Sequence, residues 1–204
     1  LILHKVGARI WIARVMITWG LVSGCMAFVQ GTTSFYILRF LLGVAEAGFF
    51  PGIILYLSYW FPAARRAQVT AIFMAAAPLS TALGSPVSAA LLEMHGFLGY
   101  AGWQWMFVLE ALPALVLGVV VLFFLTDRPA KAKWLTEQER AWLENTLHAE
   151  ELARAAKQSH SSAWRGLADI RVLALALVYF GTSAGLYTLG IWSPQIIRSF
   201  GASS

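Results

Sequence analysis

The stretch FYILRFLLGVAEAGFFPGIILYLSYW, Phe35–Trp60, decides how the rest of the chain must be read. Apart from Arg39 and Glu46 it carries no charge, and most of its residues are apolar. A helix needs about 20 mostly apolar residues to cross a hydrocarbon core roughly 30 Å thick. Gly48, Pro51 and Gly52 would argue for a loop in water. A spanning helix tolerates such residues because its neighbours can satisfy the freed backbone groups. Phe35–Trp60 is therefore expected to cross a membrane.

Four further apolar runs of similar length flank it, at about Ile12–Val29, Val69–Leu92, Trp105–Leu125 and Val172–Ile197. Hydrophobic residues make up 59% of the chain and charged ones 12%, against about 45–50% and about 25% in soluble domains. One water-soluble core cannot hide that excess, so the expected class is an all-α membrane protein. The net charge of +5 does not mark a nucleic-acid binder, because the basic residues punctuate the apolar runs rather than forming a stripe. Thirteen of the fifteen Lys and Arg fall in loops 1–11, 61–68 and 127–171 or at the span ends beside them. The loops around Gln30–Ser34 and Glu93–Gly102 have none. The positive-inside rule makes the basic loops cytoplasmic. The chain opens on Leu1 directly into apolar residues and ends in Ser199–Ser204, which reads as an internal fragment. Cys25 stands alone, so no disulfide framework is expected.

Residues 127–171 differ in composition from everything around them. Thr136 followed by Glu139 has the spacing of a helix-capping box. Trp142, Leu143, Leu147 and Leu152 then give an apolar face beside Glu144, Glu150, Glu151 and Arg154. A surface amphipathic helix is expected, followed by a polar linker around Lys157–Ser162. It would connect two membrane bundles or, alternatively, bind a partner.

Arg39 and Glu46 are the foremost candidates for chemistry. Seven residues, about two turns, put them on one helix face. Glu46 falls near mid-depth, where a bare carboxylate costs about 2.5–3.5 kcal/mol on insertion scales. Such a group is kept in a bundle interior or a wet cavity, where it can load and release a proton. Arg39 stays charged and is suited to hold a carboxylate. A static ion pair that fixes helix packing is the alternative, although the separation of about 10 Å is long for direct pairing. Glu110 reads as an interhelical contact or cap. Tyr187, four residues after Ser183, can line an organic-ligand site or bond to a neighbouring helix. No phosphate loop, metal-ligand spacing or nucleophile turn is present, so neither an enzyme nor a metal site is expected.

Several passages resemble a known family. His4-Lys5-Val6-Gly7-Ala8-Arg9 is similar to the second half of the loop motif between helices two and three of the major facilitator superfamily, which usually has Asp at the position of His4. Arg39-Phe40-Leu41-Leu42-Gly43-Val44-Ala45-Glu46-Ala47-Gly48 resembles the fourth helix of its anion:cation symporter branch. Gly102-Trp103-Gln104-Trp105-Met106-Phe107 with Glu110-Ala111-Leu112-Pro113, Asp127-Arg128-Pro129 with Trp134–Arg140, and Trp192–Ile197 extend the likeness over essentially the whole chain. That branch includes bacterial phthalate, tartrate, hexuronate and galactonate permeases. The resemblance implies that the five spans are helices three to seven of twelve. Residues 1–126 would belong to an N-terminal six-helix bundle, 127–171 to the loop between bundles, and 172–204 to the first helix of a C-terminal bundle. It also implies a monomeric bacterial inner-membrane carrier that takes up a small organic anion with protons by alternating access. The proton gradient drives it and no cofactor is needed. Arg39 and Tyr187 would bind substrate, Glu46 would couple the proton, and Lys5, Gly7 and Arg9 would form the conformational loop motif. A proton-driven exporter and a receptor without turnover are the rival readings.

Overall fold

The computed structural model describes residues 6–157 and 169–200, and among them there is no strand. The helices are α1 (Ala8–Cys25), α2 (Thr32–Glu46), α3 (Phe49–Trp60), α4 (Ala63–Leu92), α5 (Gly102–Phe124), α6 (Glu137–Lys157) and α7 (Ile170–Ser199). Among the described residues, five stretches are long and apolar enough to cross a membrane: Ala8–Phe28, Thr32–Trp60, Ala63–Leu92, Gly102–Phe124 and Ile170–Gly190. The third starts earlier than Val69 because Ala63–Gln68, though charged, continue the same helix. Two compact units are present, Leu1–Leu152 and Ala153–Ser204.

The core of the first unit lies where α1 crosses α5. Small residues let the two backbones approach, as expected where lipid gives helices no hydrophobic reason to associate. Gly20 and Gly24, four apart on α1, face α5. A side chain at Gly20 would meet Leu115 at 2.9 Å, and one at Gly24 would touch Ala111 at 3.6 Å. Gly118 returns the fit from α5, its place for a Cβ lying 2.8 Å from Ile17 and 3.3 Å from the Ile17 backbone nitrogen. Ile12, Ala13, Val15, Met26 and Ala27 are buried around this seam.

The second span is not one helix. It is interrupted at Ala47-Gly48, between α2 and α3. Pro51 falls in the first turn of α3, where its missing N–H is tolerated, and the carbonyl four residues earlier, that of Ala47, loses its helical donor. Trp11 of α1 occupies the same spot. Its indole Nε1 donates to the Gly48 carbonyl at 2.9 Å, and its ring lies where side chains at Gly48 or Gly52 would stand, at 2.7 and 2.9 Å. The break is thus written by a tryptophan 37 residues away together with the proline, and neither glycine can be enlarged without moving that ring.

The remaining spans bury little. Neither α2 nor α4 has a buried residue, and Phe40, Phe123 and Phe124 are all more than 70% exposed. Apolar faces of that extent suit lipid or further helices rather than water. Of the expected loop, α6 forms as a helix, and the linker expected around Lys157–Ser162 lies largely outside the described residues.

Candidate functional site

Arg39 and Glu46 both lie on α2, about 10 Å apart along its axis. Glu46 closes α2 and stands at the midpoint of the 29-residue span Thr32–Trp60. Both side chains are exposed. The Arg39 guanidinium rests 5.2 Å from the centre of the Phe35 ring, one turn back. Among the described residues the ion pairs are Arg9–Asp127 and Arg66–Glu150. A direct Arg39–Glu46 pair is therefore not formed. Glu46 at mid-span and Arg39, about 10 Å nearer the Thr32 end, form no ion pair among the described residues.

The end of the bundle that carries the basic loops is built differently. Gly7 precedes α1 with φ 87°, a left-handed value that favours glycine. It has no side chain to cap the helix. The cap comes from Asp127, 118 residues on, whose Oδ1 accepts from the Arg9 backbone N–H at 2.8 Å. A Cβ at Gly7 would meet that oxygen at 3.1 Å, so the glycine also makes room for the carboxylate. The Arg9 Nε is 3.9 Å from Asp127 Oδ2 and has no hydrogen-bond partner. The backbone contact is the closer of the two.

The same device recurs at α4. Pro62 leads into the helix without a capping side chain, and Glu150 of α6 supplies one. Its two carboxylate oxygens accept from the Ala63 N–H at 2.9 and 3.0 Å, and one lies 3.6 Å from Arg66 Nη2. Trp134 stacks on Trp60 with centroids 5.4 Å apart and planes 9° off parallel. Arg128 covers the Tyr59 ring at 4.4 Å. Residues 127–150 are thus fastened to the bundle end at several points. The expected capping box of α6 is present: the Thr136 N–H and hydroxyl both donate to Glu139 Oε2, at 2.9 and 2.8 Å, and the Glu139 N–H donates back at 3.3 Å. The Thr136 backbone bond, then its hydroxyl bond, hold the Glu139 carboxyl below the usual carboxylate range.

Of the other candidates, Tyr187 is exposed on α7 in the second unit, and Lys5 lies outside the described residues. Asp127, Glu150 and Trp11 are site-shaping residues that sequence reasoning did not single out for these roles. Asp127 did leave one trace, being the only acidic residue between Glu110 and Glu137 and standing on the side of Arg9.

Five apolar spans among the described residues, with α1 close-packed on α5, charges tethered at one end and an arginine and a carboxylate inside the second span, describe a membrane-embedded helical scaffold. The chain belongs to the Major Facilitator Superfamily, which it matches over residues 1–204. That superfamily consists of transporters, not enzymes. Over all 204 residues the chain is 80% identical to a protein of Agrobacterium vitis named "Putative tartrate transporter", of which it covers 47%. It is 42% identical over its full length to the "Quinolone resistance transporter" of Acinetobacter baumannii, again covering 47%. To the "Inner membrane transport protein RhmT" of Escherichia coli K12 it is 43% identical over 199 residues, 98% of this chain and 46% of that protein. The chain spans about half the length of the curated relatives it matches.

Proposed function

We propose that the chain is part of a secondary transporter that carries a small organic anion together with protons across the bacterial inner membrane. The observation that carries this reading is Arg39 and Glu46 on one apolar helix, with Glu46 at mid-span and neither in an ion pair among the described residues. Arg39 attracts the anion's carboxylate through charge-assisted hydrogen bonds. Glu46 loads a proton on one side and releases it on the other as access alternates. Tyr187 adds a hydroxyl for the substrate, and Lys5, Gly7 and Arg9 belong to the conformational machinery on the cytoplasmic side. The relatives named for tartrate support a carboxylate substrate.

The test is uptake of labelled dicarboxylates by the full-length carrier in proteoliposomes under an imposed inward proton gradient. Uphill accumulation that is lost in Glu46→Gln, with exchange of substrate retained, is the expected result. Accumulation that survives Glu46→Gln removes the proton role from this residue. The quinolone-resistance relative favours one alternative, a proton-driven exporter in the same fold. In that case the same gradient, oriented inward, empties the vesicles of substrate instead of filling them.

A further inference from the structure

Glu46 is the last residue of α2, and Ala47 and Gly48 after it form the break before α3. Whatever holds that break also holds the backbone that carries the Glu46 carboxylate. On the near side the Ala47 N–H still donates to the Gly43 carbonyl at 3.0 Å. On the far side the Gly48 carbonyl accepts twice, from the Gly52 N–H at 3.2 Å and from the indole N–H of Trp11 at 2.9 Å. The first bond ties Gly48 to α3, and the second ties it to α1.

We propose that Trp11 is a positioning residue for Glu46: by pinning Gly48 to α1, it fixes where α2 ends and so where the carboxylate stands at mid-span. The N–H edge of the indole is the part that enters the break. Cζ2 and Cε2 lie 2.7 and 3.1 Å from the place of a Cβ at Gly48, and Cδ1 lies 2.9 Å from the place of one at Gly52. The two glycines thus form a notch for that edge, and the hydrogen bond sets the depth of the ring in it. The Arg14 guanidinium lies 4.3 Å from the centre of the same ring, a cation–π contact that steadies it from its own helix. Ala8, Ile12, Ala13 and Val15 beside it on α1 are buried, so the indole is mounted on a well-packed stretch.

The junction needs support from outside its own span. Pro51 has no N–H to offer the Ala47 carbonyl, so helical bonding does not stiffen the break from within. A broken helix in a membrane relies on its neighbours for such support. An indole suits the task, with a large apolar body, a single N–H to give and no charge to titrate. It holds the backbone beside Glu46 without competing for a proton.

The value of this positioning for transport rests on the coupling role proposed for Glu46, but the positioning itself is measurable without transport. Labelling of Glu46 by a hydrophobic carbodiimide, followed by mass spectrometry on the full-length carrier in liposomes at one fixed pH, reads the setting of its carboxyl. Glu110, on α5, serves as the reference in the same molecule. Trp11→Phe keeps an aromatic ring and removes the donor. It is expected to change the labelling rate of Glu46 relative to Glu110 by about threefold or more, in line with the loss of one hydrogen bond to the backbone. General loosening changes both sites alike, so a ratio equal to wild type overturns the proposal. Should Trp11→Phe not fold, Gly52→Ala decides alone by the same criterion, because its methyl displaces the indole edge from within α3 and removes no polar group. A changed ratio beside uphill uptake that survives Glu46→Gln leaves the role of Trp11 standing and takes down the coupling role of Glu46. An unchanged ratio beside uptake that is lost in Glu46→Gln does the opposite.

Discussion

The charges at the basic end of the bundle and those inside the second span obey different rules. At the end, Asp127 and Glu150 each meet a helix N-terminus and an arginine, Arg9 in one case and Arg66 in the other. Within the second span, Arg39 and Glu46 form no ion pair among the described residues. Water is close at the end, and pairing there is cheap to arrange and modest in worth. Inside a span a lone charge is expensive, so Arg39 and Glu46 call for partners from outside α2, which the proposed function identifies as the anion and the proton. The first kind of charge holds helices, and under the proposed function the second kind meets ligands.

This contrast is broken most directly through function. Glu46→Gln is expected to abolish uphill accumulation, a fall of tenfold or more in the accumulation ratio, while leaving the unfolding temperature of the full-length protein close to wild type. Arg39→Lys keeps the charge and loses the planar fork that suits carboxylates. It is expected to raise KM for a dicarboxylate by about tenfold, equivalent to about 1.4 kcal/mol. A large fall in thermal stability with either substitution makes these residues structural after all and erases the difference between the two regions.

At the basic end the expected order is reversed, with stability lost first. Asp127→Ala removes the cap of α1 and is expected to cost about 0.5–2 kcal/mol, the usual worth of an N-cap. Asp127→Asn retains an oxygen acceptor and sharpens the comparison. The backbone bond at 2.8 Å is much closer than the guanidinium at 3.9 Å, so Asn is expected to recover most of the loss. If Asn is as damaging as Ala, the ion pair and not the cap fastens this end. Glu150→Ala is expected to cost about 1 kcal/mol by the same reasoning, because Glu150 is only partly buried and screened by solvent. Limited proteolysis within α6 reads the same release without a full melt.

How far the sequence foretold these features follows from how local their causes are. The spans were legible because each is a contiguous apolar run, and the Thr136–Glu139 box because its partners are three residues apart. Arg39 and Glu46 stood out because a charge in an apolar run needs no partner to be noticed. The caps of α1 and α4 were illegible, since Gly7 and Pro62 carry no capping group and the carboxylates arrive from 118 and 87 residues away. The break before α3 hid for the same reason: Pro51 is visible in sequence, but the indole of Trp11 that fills the gap belongs to another helix. For Glu110 an interhelical contact was expected, and Ser88 provides it.

The smallest effect is expected where a carboxylate is both local and fully exposed. Glu139 is held below the ordinary carboxylate range in the folded chain, first by the Thr136 backbone N–H and then by its hydroxyl. A carboxyl lowered on folding contributes its stability above the unfolded value and loses it as pH falls through the folded one. The first turn of α6 is therefore expected to lose hydrogen-exchange protection, corrected for intrinsic rates, as the solution is acidified across that window. Glu139→Gln keeps an oxygen for the box but has nothing to titrate, so its protection should be flat over the same range. A wild-type profile as flat as the Gln variant separates the box from the charge. The exposed end of the molecule would then owe its order to Trp134 on Trp60 and to Glu150 at α4, contacts between distant segments rather than local caps.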